Sequence, residues 1–337
     1  MHDHQQIVLG HGSGGKLTSE LISGVFLPAF GNEVLSRLED QAVLEIGEGR
    51  LAFTTDSFIV TPIFFPGGDI GKLAINGTVN DLAMSGAEPL YIAAAFILEE
   101  GLPIDDLKRV VDSMREAARA AGVQLVTGDT KVVERGKGDK VFITTTGIGV
   151  VEKGLTISAA RAQPGDKVIL SGFIGDHGMA IMSQRENLEF EGTIESDTAP
   201  LHGLVADMLE ASRKIHSMRD PTRGGVATTL NEIAASSNVG IRIIEKEIPV
   251  RESVRGACEI LGFDPLYVAN EGKLCAMVAA DVADSTVAAM RRHPFGRDAR
   301  VIGEVVGEHP RMVLMKTEIG GSRVVDVMFG EQLPRIC

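Results

Sequence analysis

The stretch 90-LYIAAAFILEEGLPIDDLKRVVDSMREAARAAGVQLV-126 decides the fold class. It begins with an apolar run of strand length, continues from Pro103 to Ala121 with helical spacing, and turns apolar again at Val123. The spacing predicts a strand over 90–97, a helix over 103–121 and a strand over 123–127. A further strand over 141–151 completes an α/β domain.

Upstream, 62-PIFFPGGD-69 is punctuated by Pro and Gly and reads as a loop into a helix over 70–85. Strands are expected over 42–46 and 51–55. Before them, 7-IVL-9 and the loop 10-GHGSGG-15 lead into a helix from Lys16 to Phe30, with Leu17, Leu21, Val25 and Phe26 inward. Downstream, 152-EKGLTISAARAQPGDK-167 shifts in composition and turns at Pro164-Gly165, marking a boundary. A second domain follows, with strands near 167–171, 240–244, 273–279, 299–306 and 311–316. Its helices are expected near 178–187, 200–212, 226–237, 250–261 and 282–292. The expected division is 1–40, a Gly-rich loop and helix; 41–153, the first α/β domain; 154–325, an α+β domain; and 326–337, a tail.

Size and charge narrow the function classes. With 337 residues, 44% of them apolar, and a mean hydropathy of +0.12, the chain can bury two ordinary cores. Its 39 glycines point to many close backbone turns around a ligand. A net charge of −13 argues against nucleic acid or an anionic membrane as partner, so a polyanionic ligand needs metal ions or amide dipoles to bind. No basic segment followed by an apolar core opens the chain, and 90-LYIAAAFIL-98 is too short to span a bilayer, so a cytoplasmic location is expected.

The chain has three cysteines. Cys258 lies on an apolar helix stripe and Cys275 in the apolar strand 274-LCAMVAA-280, which leaves Cys337 as the reactive one. It ends 331-EQLPRIC-337, where Pro334 interrupts both helix and ladder. The expectation is a mobile arm, at most about 25 Å long from Gly330, that carries the thiol between sites.

Three constellations could carry chemistry. The loop 10-GHGSGGK-16 approaches a phosphate-binding P-loop but puts Leu17 where Ser or Thr would ligate magnesium. What survives is a Gly-rich loop at a helix start, presenting amides to an anion or forming a tight turn. Aspartates recur in short apolar contexts, in 53-FTTDS-57, 78-TVNDLA-83 and 126-VTGDTK-131, with Asp220 in 219-RDPTRGG-225. Singly each reads as a cap or turn residue; together they supply the hard oxygens that magnesium bridging a triphosphate requires. Lys131 beside Asp129, and Glu271 beside a flexible Gly in 269-ANEGK-273, are an ion pair and a turn residue unless the fold gathers them.

Taken together, 10-GHGSGGK-16, 54-TTDSFIVTPIFFPGGDIGKLAINGTVNDLAMSGA-87, 127-TGDTKVV-133, 219-RDPTRGGV-226, 268-VANEGKL-274 and 334-PRIC-337 resemble the HypE family of hydrogenase-maturation proteins. That family lies within the ATP-using superfamily of aminoimidazole ribonucleotide synthetase and selenophosphate synthetase. The resemblance spans nearly the whole chain, and PRIC is its most specific part. It implies a two-domain α/β (α+β), PurM-like fold with a flexible C-terminal tail, whose first domain binds ATP and dimerises through its strands. It implies that HypF loads a carbamoyl group onto Cys337, that ATP drives its dehydration to a thiocyanate, and that cyanide passes to iron on a HypC–HypD complex.

By motif, the resemblance makes Asp56, Asp81 and Asp220 magnesium and phosphate ligands, with Asp129 nearby. Gly12, Gly14, Gly15, Thr222, Gly224, Gly225 and Asn270 join them at ATP. Lys131 would offset charge on the amide oxygen and Glu271 would take a proton. The arginine expected to lower the thiol pKa is its neighbour Arg335. Within enzymes, the rival is a selenophosphate synthetase or small-molecule kinase, which leaves PRIC unexplained. Outside them it is an acidic adaptor docking through its cysteine, which gives the aspartates no task.

Overall fold

The computed structural model describes residues 7–12, 15–47, 49–186, 188, 193–328 and 335–337. The first domain is built on a five-stranded sheet of β1 (Ala42–Ile46), β2 (Gly49–Phe58), β5 (Ala87–Glu99), β6 (Gln124–Val133) and β7 (Val141–Val151), in the order β1-β2-β7-β5-β6. A small pair, β3 (Phe64–Phe65) and β4 (Gly68–Asp69), sits in the segment expected to be loop. Only β5 and β6 are parallel, joined through helix α4 (Ile104–Ala121) as the central stretch predicts. Pro103 precedes α4, acidic residues occupy its first turn, and Gly122 ends it at φ +69°, where a side chain would be strained.

Helix α3 (Ile70–Met84) positions the site. Asp69 caps it by accepting from the Gly71 and Lys72 amides, and thirteen of its fifteen residues are buried. It is wedged between the first sheet and the second domain, so polar Asn76 and Asn80 are interior and must find partners. Asn80 binds Ala199 O, Glu271 O and the Leu201 amide, tying the domains together.

The second sheet has the order β14-β13-β10-β12-β8-β11-β9. Its strands are β8 (Lys167–Leu170), β9 (Ile215–Arg219), β10 (Gly240–Ile244), β11 (Cys275–Val278), β12 (Arg300–Val306), β13 (Val313–Lys316) and β14 (Ser322–Val325). Helix α7 (Gly225–Ser237) packs into one apolar cluster against it. A second cluster receives α6 (His202–Ala211) and α9 (Ala283–Met290) together with Ala52, Leu82, Ala87 and Val151 of the first domain. Helices α5 (Asp176–Arg185) and α8 (Glu252–Leu261) form a third cluster that includes Cys258.

Several expectations are corrected. The N-terminal helix does run from Lys16 to Phe30, as α1 (Lys16–Leu21), a π-helical turn and α2 (Leu27–Phe30), but Val25 and Phe26 are exposed and only Leu17 is fully buried. It lies on the outside of the fold, where one turn suffices for contact. Strand β6 runs six residues past its expected end, because pairing with β5 carries the poor strand formers Gly128 and Asp129. Strands β9 and β14 were not expected.

The end of the tail, expected as an arm that moves between sites, is described in one position. Residues 335–337 are docked. Ile336 is 3% exposed within the first domain's core cluster, and Cys337 packs against that cluster. The Ile59 amide donates to Cys337 O (3.1 Å) and the Thr61 amide to Arg335 O (3.2 Å). Arg335 pairs with Asp139. Three residues thus exchange water for backbone partners and apolar contacts, which outweighs the solubility of a terminal arm.

Candidate functional site

Asp56 comes from the C-terminal end of β2, Asp81 from the last turn of α3, and Asp220 from the loop after β9. Strand β2 alternates, so Asp56 shares with Thr54 and Phe58 the face turned toward the helices. Thr54 Oγ1 donates to Asp81 Oδ2 (2.8 Å). Burial pushes the Asp81 carboxyl well above its ordinary range, and the nearby Asp220, Asp56 and Asp40 push it further. Asp220 is raised to about 6, chiefly by burial, against the pull of Arg219. Asp56 is also raised by burial, opposed by Arg223, whose Nη2 stands 4.0 Å from Asp56 Oδ1.

Asp40 belongs to this group although the sequence reading passes over it. It is 2.7 Å from Arg219, which also reaches Glu232 at 3.2 Å. A cavity of about 200 Å3 opens among Thr18, Asp40, Arg219, Asp220, Thr222 and Arg223, so the helix after the Gly-rich loop reaches the site. Of that loop, Gly15 precedes α1 and Gly12 ends a short 3-10 turn, while Gly14 lies outside the described residues. Gly224 and Gly225, at φ +78° and +59°, make the turn into α7; a Cβ on Gly225 would stand 2.5 Å from Leu266 O.

The loop 268–273 carries Asn270 and Glu271. Asn270 is not turned to the cavity: Oδ1 accepts from the Gly175 amide, and Nδ2 donates to Pro221 O and Val268 O. It positions the Asp220 loop. Glu271 is 3% exposed, and among the described residues its buried Oε1 has no hydrogen-bond partner. Burial holds its carboxyl well above the ordinary range, reinforced by Asp220, Asp56 and Asp197 and opposed by Arg223. Gly272 is no hinge, since a Cβ there would collide with Asp197 O.

The docked tail brings Cys337 into this group. Burial pushes its thiol up to about 12, with Glu271, Asp56 and Asp220 adding to the rise. The cation that opposes them is Arg223, not Arg335, which is spent on Asp139. Cys337 is half-buried, whereas Cys258 and Cys275 are buried, each raised to about 12. A neutral thiol beside a partnerless carboxyl and an arginine can hold and deprotonate a group attached to sulfur, but the docked thiol is itself a poor nucleophile.

Asp129 and Lys131 are not gathered with the rest. They form an exposed 2.6 Å pair on β6. In register, Asp129 aligns with Ala95, Thr144 and Ser57, the row beside that of Asp56, so the two aspartates face opposite sides of the sheet. A larger cavity, about 510 Å3, is also separate, walled by the Asp176–Arg251 and Asp197–Lys273 pairs.

Among the described residues, no three His, Cys, Asp or Glu side chains stand close enough to hold a metal ion unaided. Yet buried carboxyls that raise one another's pKa form a donor set short of positive charge. A ligand that arrives with cations and supplies the remaining oxygens fits such a set.

Models of the AIR synthase related protein family match the chain in two parts, the N-terminal domain over residues 38–151 and the C-terminal domain over 163–314. A carbamoyl dehydratase HypE of Azotobacter vinelandii is 59% identical over 327 residues, covering 97% of this chain and 96% of the relative. Among solved structures, a HypE–HypF complex superposes with a TM-score of 0.87 at 52% identity, over 91% of this chain and 99% of the other. A hydrogenase maturation protein HypE in complex with ATP does so at 0.83 and 50%, over 98% and 100%. The chain belongs to the HypE family of carbamoyl dehydratases, within the AIR synthase-related class its fold defines.

Proposed function

We propose that this chain, in [NiFe]-hydrogenase maturation, uses ATP to dehydrate a carbamoyl group carried on Cys337 to a thiocyanate, the source of a cyanide ligand for iron. The observation that carries the reading is the docked tail, which sets the Cys337 thiol within the field of Arg223, Glu271, Asp56 and Asp220. The amide oxygen of the S-carboxamide attacks the γ-phosphorus of ATP and ADP leaves, while one N–H proton is lost. The carbon–oxygen bond then breaks, phosphate departs, and the second N–H proton is lost as the nitrile forms. Glu271 accepts a proton through its partnerless Oε1. Arg223 offsets charge on the reacting oxygen.

Magnesium, held by Asp56, Asp81, Asp220 and Asp40, would neutralise the triphosphate. Thr222, Gly224 and Gly225, with Gly12 and Gly15 on either side of the Gly-rich loop, would meet its phosphates. Because the docked thiol is neutral, loading takes place with the tail released, on a donor of the HypF kind. Delivery to a HypC–HypD type acceptor requires a second release. Tethering keeps the intermediate from diffusing away. The open face of the first sheet supports a homodimer, in which Asp129 and Lys131 lie at the interface. No helix among the described residues is long and apolar enough to cross a membrane, in keeping with work in the cytoplasm.

The test is Glu271→Gln. Carbamoylation of Cys337 and ATP binding are expected to persist while thiocyanate formation falls about 100-fold or more. Mass spectrometry of the C-terminal peptide would then find the carboxamide accumulating; the dehydrated species at the wild-type rate refutes Glu271 as the base.

A further inference from the structure

His177 has no part in the chemistry just described, yet it is completely buried, on the first turn of α5, with both ring nitrogens engaged. Nε2 lies 2.9 Å from Ile336 O and Nδ1 lies 2.7 Å from Ser196 Oγ. A carbonyl only accepts, so Nε2 carries the proton. Burial holds the ring neutral, so Nδ1 accepts from the Ser196 hydroxyl. Ser196 Oγ in turn accepts from the Thr198 amide. Between them, Asp197 takes the Glu271 amide on Oδ1 (3.0 Å) and the Lys273 ammonium on Oδ2 (2.9 Å). The residue that grips the tail is thus hydrogen-bonded to the segment that fixes the Glu271 loop.

A core histidine satisfied by chance would have no reason to spend one nitrogen on the tail and the other on that segment. We propose that His177 is a positioning residue that couples docking of the tail to the placement of Glu271, through Ser196 and Asp197. The loop is held in its working geometry when the tail is in, and loosens when the tail leaves. This deepens the reading above by naming how the enzyme registers its tethered substrate. Arg185 adds to the grip without the coupling: it donates to Thr61 O and Arg335 O, both on the tail's side.

The test is amide hydrogen exchange on the full-length chain without nucleotide, together with the rate at which a thiol reagent labels Cys337. In the wild-type protein, deleting residues 335–337 is expected to speed exchange at Ile59 and Thr61, which lose their tail acceptors, and also at Glu271. His177→Phe, with the tail intact, is expected to raise exchange at all three amides and labelling of Cys337 by about 3- to 10-fold, the worth of a lost hydrogen bond. His177→Gln, which restores a donor toward Ile336 O, recovers slow exchange at Ile59 and Thr61. Ser196→Ala leaves those two slow but speeds Glu271, which no longer responds to tail deletion.

Wild-type exchange at Glu271 that ignores tail deletion overturns the coupling. A folded His177→Phe protein with unchanged exchange at Ile59 and Thr61 and unchanged Cys337 labelling overturns the grip. None of these readouts needs turnover. A Glu271→Gln enzyme that still dehydrates its substrate therefore refutes the base assignment and leaves the coupling standing.

Discussion

At the scale of single residues, the site is assembled against its own stability. Asp220 has a folded pKa of about 6 against an ordinary value of 3.8, so between those values the folded chain binds more protons than the unfolded one. Stability therefore falls as pH rises through that window, opposite to a salt-bridged carboxylate. Asp220→Asn removes the buried charge and is expected to raise the melting temperature of the nucleotide-free protein at pH 7 to 8, with little change near pH 4. The same substitution should weaken magnesium–ATP binding by about tenfold or more, since a cation ligand is lost. Calorimetry across pH checks both; a variant less stable than wild type at pH 8 would mean that the carboxylate is compensated in the folded state. Short apolar contexts flag Asp129 as readily as Asp56 and Asp81; the family motif singles out Asp56, Asp81 and Asp220, and the fold brings those three together. Asp40 and Arg223 were not legible, since Asp40 matters through Arg219 and Arg223 through Cys337, contacts made far along the chain.

At the scale of elements, the βα turn into α7 aims the Asp220 loop, and two successive glycines make it possible. Gly225→Ala would force a side chain to φ +59°, with its Cβ 2.5 Å from Leu266 O and 2.7 Å from Val268 O. A loss of about 2–4 kcal/mol in denaturant unfolding is expected, together with weaker ATP binding as Asp220 shifts. A loss below 1 kcal/mol would mean that the 265–268 segment gives way at little cost. Elements with strong local signals were readable: α4 between Pro103 and Gly122, α3 behind its Asp69 cap, β7 with its alternation. Strand β9 was missed because five residues with three polar ones carry no pattern of their own and are held by β11. The docked position of the tail's end was not legible for a related reason. Local rules see Pro334 and a chain end, whereas Ile336 is buried by residues from both domains, including Ile181 and Ala269.

At the scale of the molecule, the first sheet has one face covered by α3 and α4 and the other uncovered. Phe53, Ile148 and Tyr91 form a cross-strand row on the uncovered face, with Phe53 and Tyr91 exposed. An apolar sheet face of this kind is the expected seat of a second copy, and a two-fold pairing would bury the same row on both protomers. Sedimentation should find a dimer for the wild-type chain and a monomer for Phe53→Asp/Tyr91→Asp, with unchanged far-ultraviolet circular dichroism. The monomer also decides what Asp129 and Lys131 do. Their row lies three strands, about 14 Å, from Ser57 and on the opposite face from Asp56, so within one chain they cannot join the acidic cluster. If they serve the nucleotide, they do so across the interface, and the monomeric variant should lose ATP affinity about as severely as Lys131→Ala does in the dimer. A monomer that binds ATP as tightly as wild type would leave the Asp129–Lys131 pair as surface charge and place the whole site within one chain.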